Sequence, residues 1–364
     1  MPTLKKFSKT AGWLCLWLAR YWRANWRHKV VVVVVAVGVA FVGFMYGVAL
    51  WYQHGEQGKP ATLGVSFIPD YAQSLGVDPG KTMDALLQDL HVRQFRLVSY
   101  WKDIEPTPGT YDFSQLDWQF AKAGQAHAHI ILTVGLRQPR WPECHPPDWV
   151  DTSKPLDTWQ PQLEQFMAAV VNRYKYSPAL QSYQLENEYF LKGFGTCTDS
   201  TRSRLVSEYN LVKQLDPAHP IIVGRSNNDL GTPVGQPTPD EYSVSMYQRV
   251  WDKTVTHRYL QYPFPSWYYA FLAGMQKITK GRDMMIAELQ AEPWPANGQT
   301  IQESSLAEHN KSFNAGRLQT TVDFARATGM KSIDLWGAEY WYYRLQVLHD
   351  PSVWNTARDI FGNS

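Results

Sequence analysis

Eight short apolar runs, each followed by a stretch with helical periodicity, constrain the fold of this chain more than any other feature. Strand and helix units that alternate in this way favour a parallel sheet, because each helix returns the chain to the same edge. Eight units close a barrel, and we therefore predict a (β/α)8 TIM barrel. An open, doubly wound sheet is the alternative, but the first run lacks the glycine-rich turn typical of that fold. The runs are residues 62–67, 94–99, 129–135, 180–185, 220–224, 242–246, 284–287 and 332–335.

A run of 23 residues without a charged side chain precedes the barrel, at residues 30–52. A helix of this length spans a hydrocarbon core about 30 Å thick, so we predict a single transmembrane helix. Seven Lys or Arg residues precede the run and only Lys59 follows it closely, which predicts a cytoplasmic N-terminus and an extracytoplasmic barrel. A cleavable signal peptide is the alternative, but its apolar region is usually only about 7 to 15 residues long.

The charge distribution divides the chain in the same way. Residues 1–59 carry eight basic side chains and one acidic side chain, a net charge of +7. The whole chain has a net charge of +2, so residues 60–364 carry −5. The basic excess is thus confined to the membrane flank, and we expect no nucleic-acid partner. We predict a basic, amphipathic cytoplasmic segment at 1–29, the transmembrane helix, a linker at 53–61 and the barrel at 62–364.

The three cysteines are divided by this topology. Cys15 would lie in the cytoplasm, whereas Cys144 and Cys197 would lie outside the cell membrane. Two cysteines in an oxidising compartment favour a Cys144–Cys197 disulfide, with two buried free thiols as the alternative.

Carboxylates stand where two of the predicted strands end. The fourth run leads into Asn187 and Glu188, and the seventh leads into Glu288. A separation of 100 residues corresponds to about three of the eight units, so the two Glu side chains are expected to face one another across the barrel mouth. Two carboxylates about 5 to 5.5 Å apart suit retaining glycoside hydrolysis, with one as nucleophile and the other as acid and base.

Two other acidic residues compete for these roles. Glu186 is expected to point away from Glu188, and we leave it out of the pair. Glu292 lies four residues beyond Glu288 and precedes a proline, so we assign it to a loop.

Three segments of the chain resemble a known group of enzymes. Residues 96–101 (RLVSYW), the Asn187-Glu188 pair and residues 333–338 (IDLWGA) are similar to the retaining (β/α)8 glycosidases of glycoside hydrolase clan A. That clan includes families 5, 39 and 42, and the resemblance covers roughly residues 62–360.

The resemblance implies a role for each matching residue. Glu188 corresponds to the general acid and base, and Glu288 to the nucleophile. Asn187 would bind the 2-hydroxyl of the sugar, Arg96 would stabilise the ionised nucleophile, and Tyr247 would direct its hydroxyl at the nucleophile. The alternatives are a structural ion pair for Arg96 and a core position for Tyr247.

Aromatic residues are abundant, with 16 Trp, 20 Tyr and 15 Phe. Sugar rings pack their C–H faces on aromatic side chains, so a glycan substrate accounts for part of this excess. The resemblance implies that Trp336 is the platform under the cleaved sugar. Trp101, Trp141 and Trp294 fall in or near loops after strands, and we predict that they also contact substrate.

The sequence thus predicts a membrane-anchored retaining O-glycosyl hydrolase that cleaves β-linked oligo- or polysaccharides. No cofactor is implied, and no metal site is expected, because His127 and His129 lack a carboxylate at metalloprotease spacing. Two alternatives remain: a transglycosylase that remodels surface glycans, and a catalytically silent barrel that binds carbohydrate.

Overall fold

Eight parallel strands form a closed barrel in the computed structural model, which describes residues 25–227 and 235–362. The predicted TIM barrel is therefore confirmed. Most of the predicted cytoplasmic segment, with Cys15, lies outside the described residues. Two further strands, β7 (Arg249–Asp252) and β8 (Arg258–Gln261), form a hairpin between the sixth and seventh strands of the barrel. The barrel strands are β1 (Thr62–Phe67), β2 (Gln94–Leu97), β3 (His129–Val134), β4 (Leu180–Leu185), β5 (Ile221–Arg225), β6 (Glu241–Met246), β9 (Asp283–Gln290) and β10 (Ser332–Trp336).

Helices cover the outside of the barrel. Their apolar faces pack on the outward side chains of the strands and form the main hydrophobic core. The helices are α1 (Trp26–Glu56), α2 (Pro69–Ser74), α3 (Pro79–Gln88), α4 (Trp101–Ile104), α5 (Ser114–Gln125), α6 (Leu156–Tyr174), α7 (Arg202–Leu215), α8 (Ser266–Lys280), α9 (Leu306–Ser312), α10 (Ala315–Arg326), α11 (Ala338–Gln346) and α12 (Ser352–Gly362).

A β-bulge in β9 determines the direction of Glu288. The register between β6 and β9 shifts after Ile286, which leaves Ala287 as the extra residue. Strict alternation would place Glu288 on the outer face with Ile286. Because of the bulge, both Ala287 and Glu288 face the interior, and the strand continues beyond its predicted end to Gln290.

A disulfide joins the loops that follow β3 and β4. Cys144 and Cys197 are bonded, as predicted, and this excludes the alternative of two free thiols. The bond connects the segment after β3 to the segment that carries Asn187 and Glu188. Two long loops at the barrel mouth are therefore held together covalently.

We expect the double variant Cys144→Ser/Cys197→Ser to lose about 2 to 4 kcal/mol of unfolding free energy, because the bond closes a long loop in the unfolded chain. Denaturant unfolding of the variant measures this loss, and Cys15→Ser, which leaves the bond intact, is the control. An unchanged unfolding midpoint in the double variant would contradict a structural role.

The N-terminal helix α1 is 31 residues long and predominantly apolar. It is long and apolar enough to cross a membrane, and most of its apolar side chains are exposed. Its last turns, however, contact the barrel: Ala49 and Tyr52 are buried, and Gln53 donates a hydrogen bond to the carbonyl of Ala327 at 2.7 Å. The helix continues to Glu56, so the first residues of the predicted linker are helical.

Candidate active site

Glu188 and Glu288 lie in one buried site at the carboxyl ends of the strands. Their exposed fractions are 6% and 3%. Burial raises the pKa of Tyr247, and the charges of Glu288 and Glu188 raise it further, so both carboxylates lie within electrostatic reach of one hydroxyl. Glu188 follows β4 with a positive φ of 43°, a conformation uncommon for a residue with a side chain and often found at functional sites.

Glu288 is held by two donors. The guanidinium of Arg96 donates from Nη1 to Oε1 at 2.9 Å, and the hydroxyl of Tyr247 donates to Oε2 at 2.7 Å. Both oxygens are thus engaged by groups that stabilise a negative charge. Two of the predicted site residues thus contact Glu288 directly.

Arg96 organises the floor of the site. It is 1% exposed, and besides Glu288 it donates to Gln184 Oε1 at 2.6 Å and to Asn187 Oδ1 at 2.8 Å. Asn187 therefore has its carbonyl oxygen fixed by a cation, and its amide group faces the other way, toward Glu143. One arginine on β2 thus aligns the residues after β4 with the carboxylate on β9.

Glu188 has the opposite electrostatic setting. Burial raises its pKa to about 7, and the negative charge of Glu288 contributes to the rise. Hydrogen bonds from Ser245 and Ser226, together with the charge of Arg137, oppose it. The two carboxyl groups of the site therefore have different surroundings: Arg96 and Tyr247 donate to Glu288, whereas the pKa of Glu188 is raised.

This setting predicts the pH dependence of activity. A general acid must be protonated to act, so kcat/KM should fall as the pH rises through about 7, the value set for Glu188. Initial rates on a panel of β-glycosides across the neutral range measure this decline. A Glu188→Gln variant, assayed on a substrate whose leaving group needs no proton, should not show this decline in kcat/KM. A rate that stays constant well above pH 7 would contradict the assignment.

A third carboxylate, Glu143, lies beside the pair and was not predicted from the sequence. Burial, followed by the charges of Glu188 and Glu288, raises its pKa to about 8. Asn187 Nδ2 donates to its Oε2 at 3.2 Å, and Arg137 Nε lies 3.6 Å from the same oxygen. The only sequence signal for Glu143 is its position next to the disulfide cysteine.

Glu292, the competitor of Glu288, occupies a different ion pair. Its Oε1 accepts from Arg140 Nη2 at 3.2 Å and from the indole Nε1 of Trp336 at 2.9 Å. The Arg140 guanidinium lies between two rings, 4.5 Å from the centroid of Trp336 and 3.3 Å from that of Tyr71. The predicted platform Trp336 therefore has a charged neighbour that sequence reasoning missed.

The other three predicted tryptophans differ in position. Trp294 contacts the ring of Tyr247 edge-on at 5.5 Å, beside the carboxylate pair. Trp141 is 62% exposed in the loop after β3. Trp101 is fully buried and stacks on Phe166, so its indole offers no free face to a sugar in this structure.

Glu186 lies outside the pair. It is fully buried, pairs with Arg204 at 2.8 Å, and accepts hydrogen bonds from the amides of Leu136 and Arg137. This carboxylate therefore fastens the loop after β3 to the loop after β4. Within residues 25–227 and 235–362, no group of three His, Cys, Asp or Glu side chains is arranged to hold a metal ion.

A family model matches part of the chain. The beta-galactosidase model of glycoside hydrolase family 42 matches residues 81–221, a region that contains Arg96, Asn187 and Glu188 but ends before Glu288. None of the curated proteins compared matches the chain significantly. The resemblance to clan A inferred from the sequence is confirmed by this match together with the closed parallel barrel.

Solved structures of glycosidases share the fold. An exo-beta-1,4-mannosidase from Opitutaceae bacterium strain TAV5 is 16% identical with a TM-score of 0.51, over 76% of this chain and 51% of that chain. A beta-galactosidase from Halorubrum lacusprofundi is 14% identical with a TM-score of 0.52, over 83% and 58%. Xylanase 10B from Thermotoga maritima is 14% identical with a TM-score of 0.53, over 84% and 97%. The chain thus spans little more than half the length of the first two.

Proposed function

We propose that this protein is a membrane-anchored retaining glycoside hydrolase that cleaves a β-linked glycan by double displacement. The observation that carries the proposal is the contrast between two buried carboxyl groups of one site. Glu288 is bound by Arg96 and Tyr247, whereas burial and the nearby negative charge raise the pKa of Glu188. Surroundings that separate two carboxyl groups in this way are those of a nucleophile and an acid.

In the first step, the Glu288 carboxylate attacks the anomeric carbon of the bound sugar. The glycosidic C–O bond breaks as the Glu188 proton passes to the leaving oxygen, and a covalent glycosyl ester forms on Glu288. Arg96 and Tyr247 orient the attacking carboxylate before the bond forms.

In the second step, water attacks the same carbon from the side that the leaving group vacated. Glu188, now ionised, accepts a proton from this water, and the ester bond to Glu288 breaks. Two inversions at one carbon give net retention of configuration. Both residues return to their starting protonation states.

Binding of the sugar is assigned to the residues around the pair. Asn187, whose carbonyl oxygen accepts from Arg96, is proposed to bind the 2-hydroxyl, a contact that strengthens as positive charge develops on the sugar. Trp294 contacts Tyr247, Trp336 belongs to a cluster that packs against Tyr247, and the exposed Trp141 suits a more distant sugar of a chain. The fully buried Trp101 is assigned a packing role and no contact with the sugar.

The anchor is proposed to be residues 30–52, with the N-terminus in the cytoplasm and the barrel outside. Helix α1 has the required length and hydropathy, and basic residues precede it. Its last turns bury Ala49 and Tyr52 against the barrel, so removal of the helix as a signal peptide would uncover an apolar face of the folded domain. This packing favours a retained helix.

Product analysis tests the reaction. The full-length protein, in detergent or vesicles, is assayed on a panel of β-linked oligo- and polysaccharides, and the first sugar anomer released is identified by NMR. The proposal predicts the β-anomer. Initial release of the α-anomer would contradict it. Transfer to an added acceptor sugar in preference to water would indicate a transglycosylase, and binding without any bond cleavage would indicate a silent barrel.

A further inference from the structure

The proposed double displacement uses two carboxyl groups, but the site buries a third. Glu143 is only 4% exposed, in the loop after β3. Burial and the charges of Glu188 and Glu288 raise its pKa, so the three carboxyl groups share one site. Burying an ionisable group is unfavourable unless other groups form hydrogen bonds with it. The partners of Glu143 therefore indicate whether it serves the fold or the substrate.

A structural carboxylate in the neighbouring loop provides the comparison. Glu186 accepts hydrogen bonds from two backbone amides and pairs with Arg204 at 2.8 Å. Glu143 has weaker partners, because Asn187 Nδ2 donates to its Oε2 at 3.2 Å and Arg137 Nε lies 3.6 Å from that oxygen, beyond hydrogen-bond distance. Within residues 25–227 and 235–362, no group donates to Oε1 of Glu143. One oxygen of this buried carboxylate thus remains available.

Arg137 is incompletely paired as well. Its side chain is 3% exposed, and its Nη1 donates to the carbonyl of Leu191 at 2.9 Å. Among the residues that the structure describes, its Nε and Nη2 have no hydrogen-bond partner. The charge of Arg137 lowers the pKa of both Glu143 and Glu188, so these donors lie beside the site. Buried polar atoms nearly always have a partner, so unpaired donors here indicate a ligand that carries oxygen atoms.

The side chain of Glu143 is fixed by its surroundings. The backbone amide of Gln138 donates to the carbonyl of Glu143 at 2.7 Å, and the next residue, Cys144, is bonded to Cys197. A Cβ atom added at Gly195 would lie 2.7 Å from Cβ of Glu143, so the loop after β4 packs directly against this side chain. A polar group held in this way loses little freedom when a ligand binds.

Asn187 and Glu143 together match the hydrogen bonding of a hydroxyl group. Asn187 Nδ2 carries two hydrogens, and in the described part of the chain only one of them is used, in the bond to Glu143. Oε1 of Glu143 offers an acceptor next to the remaining donor. A hydroxyl group accepts one hydrogen bond and donates another, so a single sugar hydroxyl can bind both residues.

We propose that Glu143 is a specificity-determining residue that binds the 2-hydroxyl of the cleaved sugar together with Asn187. The inference rests on the proposed hydrolysis, in which Asn187 binds that hydroxyl. Asn187 donates to the hydroxyl oxygen, and the hydroxyl donates to Oε1 of Glu143. This donation lowers the pKa of Glu143, which burial raises in the free protein. The substrate is then a glycan whose cleaved sugar has a free 2-hydroxyl.

A Glu143→Gln variant and a pair of substrates test this contact. The glutamine carbonyl keeps the acceptor for Asn187, and an amide nitrogen replaces Oε1. The probes are the 2,4-dinitrophenyl β-glycoside of the sugar cleaved fastest in the product assay and its 2-deoxy analogue, neither of which needs a general acid. We expect kcat/KM to fall about 10- to 100-fold on the first substrate and less than about twofold on the 2-deoxy analogue.

A structural role would affect the two substrates alike. The control is Glu186→Gln, which weakens the buried pair with Arg204 and should lower kcat/KM on both substrates by the same factor. An equal loss on both substrates in Glu143→Gln, or no loss on either, would overturn the inference. If Glu143→Gln does not fold, Glu143→Asp replaces it, since aspartate keeps the charge beside Arg137 but withdraws the oxygen from the sugar. The same selective loss is expected from that variant.

The wild-type protein separates this inference from the proposed function. Cleavage of both substrates, with the variants affecting them equally, would overturn the role of Glu143 and leave the hydrolysis intact. Cleavage of neither these substrates nor the wider panel would overturn the proposed hydrolysis, and the role of Glu143 with it.

Discussion

Replacing Glu288 by Gln should reduce kcat by roughly 10⁴-fold or more, because an amide cannot form the glycosyl ester. The melting temperature should change little. Glutamine keeps an oxygen that can accept from Arg96, and the lost ion pair is offset by relief of repulsion from Glu188 and Glu143. Steady-state rates and thermal unfolding of the same preparation measure both effects.

The competitor residue provides the matched control for this variant. Glu292→Gln removes a carboxylate of the same type four residues away, but one that pairs with Arg140 instead of Arg96. We expect a much smaller loss of activity from Glu292→Gln than from Glu288→Gln. Added azide should restore turnover to Glu288→Ala and give the inverted α-glycosyl azide, since azide then attacks in place of the carboxylate. If Glu292→Gln were the inactive variant, the nucleophile would be wrongly assigned.

The effect of Glu188→Gln should depend on the leaving group. With a sugar leaving group, which needs a proton, we expect a loss of about 10³-fold or more in kcat/KM. With a dinitrophenyl leaving group, which departs without a proton, the first step should remain fast and the glycosyl enzyme should accumulate. Comparing the two substrates isolates the acid role from general damage to the site.

Azide distinguishes this variant from the nucleophile variant. In Glu188→Ala, azide attacks the glycosyl enzyme without the need for a base and should give the β-glycosyl azide, with retained configuration. An equal loss of activity on both kinds of leaving group would contradict the assignment of Glu188 as the acid.

The barrel and the central residues of the site follow from local sequence patterns. Apolar runs alternate with amphipathic stretches over the whole domain, so the number of strands can be counted. Arg96, Asn187, Glu188 and Glu288 lie within or directly after strands, where the register of the barrel fixes their positions. The carboxyl ends of β2, β4 and β9 meet as a consequence of topology, but the inward direction of Glu288 depends on the bulge at Ala287.

Residues in long loops could not be placed by the same reasoning. Glu143 and Arg140 belong to the loop after β3, which has no periodicity and is shaped by the disulfide and by the buried pair of Glu186 and Arg204. Trp101 was predicted to contact substrate because it lies near a loop after a strand, but its ring packs into the core. Burial of a loop side chain depends on tertiary packing that the local sequence does not reveal.

The contact between α1 and the barrel was hidden for a different reason. An apolar run has no polar face to contrast with a packed face, so the sequence does not reveal which side touches protein.

The bulge at Ala287 is set by pairing with neighbouring strands, and no residue in β9 marks it in advance.

Trapping the covalent intermediate tests the central claim most directly. The enzyme is incubated with 2-deoxy-2-fluoro-β-glycosides that carry a good leaving group. The fluorine slows both formation and hydrolysis of the ester, and the good leaving group speeds only its formation, so the ester accumulates. Peptide mass spectrometry should then find one fluorosugar attached to Glu288. Attachment to Glu292, Glu143 or Glu188, or the absence of any adduct from a sugar that the enzyme hydrolyses, would contradict the double-displacement account.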